Sequence, residues 1–524
     1  MNSYSQLIQS LQNPALYPHK IESFKIIETH ISWVLLTGRY AYKIKKPLNL
    51  GFLDFSSLEK RKHYCHEELR LNSRLAPDIY LDVVAVSGTE DQPKLDGSGT
   101  AIEYAVKMRQ FDPDKTFDQL LVQNQLTAEQ IKQTASIIAA FHSKIDRAAS
   151  NTEFGSANTI LQSMQENFRQ IQQLDGIEKP DALKHLAAWS EQQHTALMSV
   201  FKQRKLADYI RECHGDCHLG NIALIGGEVV LFDGIEFNPS LYWIDVISEI
   251  AFLVMDLQEK QRPDLAFQFL NTYLQHSSDY SGLKLLRFYL VYRAMVRAKV
   301  SAIRASQSTS AEEHQQAIAS YQDYLQLACS DTQTTKPLMI IMHGVSGSGK
   351  SWLSEQIIDH CQTIRLRSDV ERKRLHHLPT QQKSHSSLNS GLYDQTSSDM
   401  TYQHLLQLAI EVINADYSVI VDATFLQQQQ RKLFSRQAEQ LNIAFLIIRT
   451  QTDKQTLLKR IKARTKQTDN VSEADQSVLE NQLHTLQPLS DEELRSSLTI
   501  NTGQTKQLSK LWHFLENQHH PCQP

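Results

Sequence analysis

Residues Gly344, Val345, Ser346, Gly347, Ser348, Gly349, Lys350 and Ser351 spell GVSGSGKS, the run that most constrains this chain. It satisfies G-x-x-x-x-G-K-[ST], a pattern that chance supplies roughly 0.02 times in a sequence this long. LMIIMH, an apolar strand, leads into it, and the helical SWLSEQIIDH follows. In a strand–loop–helix context, glycines let backbone N–H groups wrap phosphates. Lys350 then reaches the β- and γ-phosphates and Ser351 ligates Mg²⁺. The ligands to expect are ATP and Mg²⁺.

Downstream, strands at TIRLRS, YSVIVDA, AFLIIRT and SSLTINT alternate with helical stretches. Near-continuous apolar strands separated by helices predict a parallel sheet covered on both faces, an α/β P-loop domain over 338–524. Ligands bind such sheets at the carboxyl ends of the strands. There, Asp369 lies just past the second strand with Arg372 one turn on, and Asp422 ends a buried strand as a Walker-B-like carboxylate. Arg460 and Arg464 share a helical face four residues apart, the placement of a lid that closes over transferring phosphate.

The polar stretch SDTQTTKP (330–337) is the expected linker, and 524 residues exceed what one core supports. Before it, β-rich runs flank Gly38-Arg39, a helix follows a capping box of Ser56 and Glu59, and two more strands follow. Patterning then turns helical apart from a hairpin at Gly226-Gly227. Phosphate chemistry recurs here. In HGDCHLGN (214–221), Asp216 and Asn221 have the D-x-x-x-x-N spacing of a kinase catalytic loop, and Asp233 follows the hairpin where a second metal ligand is expected. Ala41-Tyr42-Lys43 has the A-x-K form of a phosphate-binding lysine; Lys45 points the same way from the strand, and Lys43 is preferred. Glu68 on the next helix is the natural partner. Cys213, His214, Cys217 and His218 lack the spacing of a usual zinc finger. Arg293, Arg297 and Arg304 fall on one helical face, read as solvated or ion-paired rather than as an anion site.

With these residues in order, the first 329 positions resemble the aminoglycoside/choline-kinase-like branch of the protein-kinase superfamily. The resemblance implies a bilobal α+β domain, with an N-lobe at about 20–112 and a C-lobe at about 113–329. Asp216 would orient or deprotonate the acceptor, and Asn221 with Asp233 would hold Mg²⁺. Lys43, positioned by Glu68, would bind the α/β-phosphates, and Met108 in MRQF would begin the hinge beside adenine. His214 would be structural, and Asp245 would support the loop. No G-x-G-x-x-G precedes Lys43, so the 28–40 hairpin would cover the phosphates another way. The second half resembles small P-loop kinases of the gluconate kinase and polynucleotide kinase group, the former through GVSGSGKS and ENQLHTLQPL. That implies Asp369 activating or orienting an acceptor hydroxyl beside Arg372. The whole resembles bacterial fusions of an aminoglycoside-phosphotransferase-like domain with a P-loop domain.

The net charge of −4 gives no global reason to expect nucleic acid or anionic membrane as a partner. No apolar run approaches a bilayer span, the N-terminus shows no signal peptide, and six scattered cysteines suit a reducing cytoplasm. The leading expectation is an ATP- and Mg²⁺-dependent phosphotransferase with two active sites and small hydroxylated acceptors. The alternatives are that one module is a nucleotide-binding switch for the other, or that the second half is a nucleic-acid 5′-hydroxyl kinase.

Overall fold

A computed structural model describes residues 3–21, 23–49, 51, 53–379, 394–464, 476–503 and 507–516. The chain divides into two compact units, residues 1–256 with 292–325, and 257–291 with 326–524. Patterning marks one boundary at 330–337; the contacts also assign 257–291 to the second unit.

In the first unit, among the described residues, six strands form an antiparallel sheet: β1 Lys25–Glu28, β2 Ser32–Leu36, β3 Tyr40–Lys45, β4 Tyr80–Gly88, β5 Pro93–Leu95 and β6 Ala101–Arg109, in the order β1-β2-β3-β6-β4-β5. The β2–β3 hairpin turns at Gly38, whose φ of 88° is in the left-handed region that suits glycine. Leu35, Tyr42, Ile44, Val84, Val86 and Ala105 build the core on one face. The helix Leu58–Asn72 crosses the other face. Its cap is Ser57 rather than Ser56: the Ser57 hydroxyl accepts from the Lys60 N–H at 3.3 Å, while Ser56 is bonded to Asp54. A mainly helical lobe follows, interrupted by β7 Ile210–Glu212, β8 Ile222–Ile225, β9 Glu228–Leu231 and β10 Trp243–Asp245. A strand-rich part followed by a mainly helical part is the order expected.

In the second unit, β11 Leu338–His343, β12 Ile364–Arg367, β13 Val419–Asp422, β14 Ala444–Gln451 and β15 Ser497–Asn501 make a parallel sheet ordered β12-β13-β11-β14-β15. Every residue of β11 is buried. The glycine run leaves the carboxyl end of β11, and Asp422 ends β13 in register with Arg367 of β12. The chemistry of this unit therefore shares one edge of the sheet.

β12 is an edge strand, whose unpaired backbone groups invite pairing with another chain. The helix Pro263–Ser277 covers it. The buried Asn271 side chain accepts from the Arg365 N–H at 2.6 Å and donates to the Thr363 carbonyl at 2.9 Å, as a neighbouring strand would. Gln268 bonds Asp359 at 2.6 Å, and Arg374 donates to the Gln275 carbonyl at 2.7 Å. Asn271→Ala strips partners from two backbone groups at once and should cost about 2–4 kcal/mol. Urea unfolding that finds no loss would show that this cover is dispensable.

Candidate active sites

Lys43 and Lys45 are two apart on β3, so both project from one face. Both reach Glu68, which is fully buried. Lys43 Nζ lies 2.9 Å from Glu68 Oε1 and 2.6 Å from Asp233 Oδ1. Lys45 Nζ lies 2.6 Å from Glu68 Oε2 and also pairs with Glu236. Lys45 is 1% exposed, whereas Lys43 is a little more open and pairs with the half-open Asp233. Burial alone would raise the Glu68 carboxyl; the two ammonium groups instead hold it down at about 2. Burial pushes Glu236 up, against the pull of Lys45 and with the push of Glu68.

Asp233 has a left-handed backbone, φ 59°, at the exit of the β8–β9 hairpin. The Asn72 carboxamide fixes the next residue, accepting from Gly234 N at 2.7 Å. Asn221 Nδ2 donates to Asp216 Oδ2 at 3.0 Å and to the Asp233 carbonyl at 3.4 Å. Lys43, Glu68, Asp216, Asn221 and Asp233 are thus joined through Asp233. Burial works against ionising Asp216, but His218, 3.4 Å from Oδ2, and Arg297 hold its carboxyl well below the usual range. Burial also opposes a charged His218 ring, and Asp216 outweighs it and raises that group.

His214 is buried: Nδ1 accepts from the Asp216 N–H at 3.3 Å, and Nε2 donates to the Phe232 carbonyl at 2.9 Å. The ring ties the 214–221 loop to the strand leading to Asp233. Asp245 has a different place from the one expected. Its carboxylate faces Arg204 at 2.6 and 2.8 Å, because a buried guanidinium needs a bidentate partner. The loop amides go instead to residues the motifs did not mark. Glu249 accepts from His214 N at 2.8 Å and Gly215 N at 2.9 Å, and Asp256 from Leu219 N at 2.9 Å. Arg293 donates to the Gly215 carbonyl at 3.3 Å.

The arginine face is therefore not solvated throughout. Arg293 is 4% exposed, Arg297 is partly buried against the Tyr324 hydroxyl at 3.2 Å, and Arg304 alone is exposed. Met108, like Phe111, Ile225, Val230 and Phe232, packs against the core of Cys65, Ile79, Tyr80 and Val106, and Gln110 and Phe111 line a cleft of about 510 Å³ with Leu224 and Ile225. The β1–β2 turn closes without glycine: Thr29 Oγ1 accepts from Ile31 N at 3.4 Å and Ser32 N at 3.0 Å. Among the described residues, the His142, Cys213 and Glu249 ligand atoms lie within 4.8 Å of one another. Both Glu249 oxygens accept amides of the 214–221 loop.

In the second unit, Gly344, Gly347 and Gly349 have φ of 148°, 82° and 93°. A side chain at Gly349 would strike Thr502 at 2.9 Å. Lys350 Nζ donates to the Val345 carbonyl at 3.0 Å, Ser351 stands in the first turn of the helix Lys350–Cys361, and Ser348 Oγ lies 2.6 Å from Thr450 Oγ1. Gly344 N donates to the Thr424 carbonyl at 3.1 Å, which ties the loop to the strand of the buried Asp422. Asp369 and Arg372 face each other at 3.7 Å.

Arg460 is placed differently from a mobile lid residue. Its guanidinium donates to the Gly347 carbonyl at 3.3 Å and to Thr502 Oγ1 at 2.9 Å, and Thr502 Oγ1 donates to the Ser348 carbonyl at 2.7 Å. It buttresses the loop from behind. Arg464 ends the helix Lys454–Arg464, and its side chain lies outside the described residues. The Ser346 N–H donates to Gln482 Oε1 at 2.7 Å, a contact the sequence did not disclose.

Residues 339–489 match the AAA domain family. Over 438 residues the chain is 29% identical to "Uncharacterized protein Rv2004c" from Mycobacterium tuberculosis, which spans 83% of this chain and 85% of that protein. Among solved structures it is similar to a choline kinase from Cryptosporidium parvum Iowa II: TM-score 0.37, 12% identity, 63% of this chain and 96% of that one. It is also similar to a gluconokinase from Sinorhizobium meliloti 1021: TM-score 0.25, 20% identity, 35% of this chain and 99% of that one. No helix among the described residues is long and apolar enough to cross a membrane.

Glu68 titrates well below its ordinary 4.5, so its contribution is complete above that pH and is lost as pH falls towards 2. The shift corresponds to about 3 kcal/mol. Glu68→Gln should lower stability near neutrality and flatten the loss between pH 4.5 and 2. Parallel acid profiles for the two proteins, from urea midpoints, would contradict this.

Proposed function

We propose that this protein is an ATP- and Mg²⁺-dependent phosphotransferase with two nucleotide sites, transferring the γ-phosphoryl group to hydroxyls of small molecules. The observation that carries the reading is the junction at Asp233, which takes Lys43 on one side and the Asp216–Asn221 pair on the other. Phosphoryl transfer needs these parts together: a cation for the phosphates, oxygen donors for the metal, and a carboxylate for the acceptor. In the first unit, Lys43 would bind the α/β-phosphates, with Gln110 and Phe111 beside the base. Asp216, kept ionised by His218 and Arg297, is suited to accept the acceptor's proton or orient its hydroxyl.

Mg²⁺ prefers hard oxygen donors, which Asn221 and Asp233 offer in the first unit and Ser351 and Asp422 in the second. When bound, the ion neutralises charge on the β- and γ-oxygens. In the second unit the loop amides and Lys350 would cradle the phosphates, and Asp369 with Arg372 would receive the acceptor hydroxyl. The AAA domain match over 339–489 supports nucleotide binding there.

A nucleic-acid 5′-hydroxyl acceptor is the second reading for this unit. Arg365 and Arg367 stand on β12 beside Asp422, so an acceptor carrying phosphate would meet cations. It requires oligonucleotide binding that weakens steeply with salt.

ATP consumption over a panel of hydroxylated metabolites tests the main reading with Asp216→Ala, Lys350→Ala and the double variant. Each single change should slow turnover of one set of acceptors by at least about 100-fold and spare the other. Full turnover in the double variant would exclude both sites.

A further inference from the structure

The run ENQLHTLQPL begins in the helix Gln476–Thr485 and continues past its end, and its third residue, Gln482, lies within the helix. Two contacts join this helix to the glycine-rich loop. Leu479, one turn before Gln482 and fully buried, packs with Leu457 and Ile461 around the Val345 side chain. Gln482 Oε1 accepts the Ser346 N–H at 2.7 Å. Adjacent residues of the loop are thus held at a side chain and at a backbone amide by one helix face.

The Val345 carbonyl and the Ser346 N–H are the two poles of a single trans peptide. Such a unit is planar, with its C=O and N–H pointing in opposite directions, so fixing one pole fixes the other. The other pole is occupied by Lys350, whose Nζ donates to the Val345 carbonyl at 3.0 Å. Gln482 and Lys350 therefore hold the same rigid group from opposite sides. Elsewhere in the loop the external side-chain grips are on carbonyls, Arg460 on Gly347 and Thr502 on Ser348, and the Gly344 amide goes to a backbone carbonyl, that of Thr424. Among the described contacts, Gln482 is the side chain from outside the loop that takes one of its amides.

We infer that Gln482 is a positioning residue for the phosphate-binding lysine: by holding the Ser346 amide, it aims the Val345 carbonyl that seats Lys350 on the cradle. The inference rests on the P-loop reading above. Without an acceptor at position 482, the 345–346 peptide keeps its carbonyl contacts with the Ser348 N–H, at 3.2 Å, and with Lys350, but loses its hold on the N–H side, so the carbonyl that meets Lys350 is less firmly aimed before nucleotide arrives. Binding must then supply that ordering, and affinity falls.

Calorimetric titration of the full chain with MgADP and with MgATP tests this, using wild type, Lys350→Ala, Gln482→Met and Gln482→Ala, with thermal melts alongside. Lys350→Ala assigns the P-loop binding event by removing it. Gln482→Met keeps the side-chain volume over Leu479 but cannot accept an N–H. It should weaken that event roughly five- to tenfold, leave the other event unchanged and leave the melting midpoint where it was. Wild-type binding by Gln482→Met overturns the inference, as does weakening confined to Gln482→Ala, which packing alone would explain. If Lys350→Ala removes no binding event, the P-loop reading itself fails and takes the inference with it.

Discussion

The buried carboxylate of Glu68 is what the first unit's chemistry is built around. A lone ion at that depth would be strongly disfavoured, and so would each lysine facing it. Together they are tolerated, because Glu68 gives one oxygen to Lys43 and the other to Lys45. The arrangement separates two tasks that one lysine would have to combine. Lys45, closed in by Glu68 and Glu236, locks the helix Leu58–Asn72 onto β3. Lys43 is shared between Glu68 and the half-open Asp233. Nucleotide phosphates would compete with Asp233 for Lys43 without disturbing the inner pair.

A second constraint governs both units: a loop with glycines in the left-handed region leaves backbone polar groups that need partners from elsewhere. In the first unit Glu249, Asp256 and Arg293 hold the 214–221 loop from beneath, and His214 ties it to Phe232. In the second, Arg460, Thr502 and Gln482 hold the glycine run from outside. The supports differ in chemistry because the loops differ. The first turns buried amides towards carboxylates. The second is held at carbonyls by Arg460 and Thr502 and at amides by Gln482 and the Thr424 carbonyl.

What was legible in the sequence was what short-range periodicity and spacing encode. β-rich runs flanking Gly38-Arg39 placed β2 and β3, strand–helix rhythm placed the parallel sheet, and the D-x-x-x-x-N spacing brought Asp216 and Asn221 into one turn. The supports were not legible. Glu249 lies 34 residues from Gly215, and Gln482 lies 136 from Ser346. Neither is distinguished in its own helix from an ordinary polar residue. The family resemblance alone points to Asp245 as the support of the loop. Burial of Arg204 claimed it, and Glu249, one turn on, took the amides. The arginines at 293, 297 and 304 show the same limit: spacing put them on one face, but only packing decides which part of that face is covered.

The segment 257–291 extends this logic to the whole chain. Asp256, immediately before it, and Arg293, just after it, both hold the first unit's loop. The residues between them close the β12 edge through Asn271 and brace the helix bearing Asp369 through Gln275. The two units are therefore interleaved in sequence, whatever their chemistry. A single cut at the polar stretch 330–337 does not separate them cleanly: it leaves the P-loop sheet with β12 uncovered, and it leaves the first unit carrying a helix whose polar side chains have lost Thr363, Arg365 and Asp359. A break that respects the contacts needs both 257–291 and 326–331 to stay with the P-loop unit, which no single cleavage of this chain can achieve.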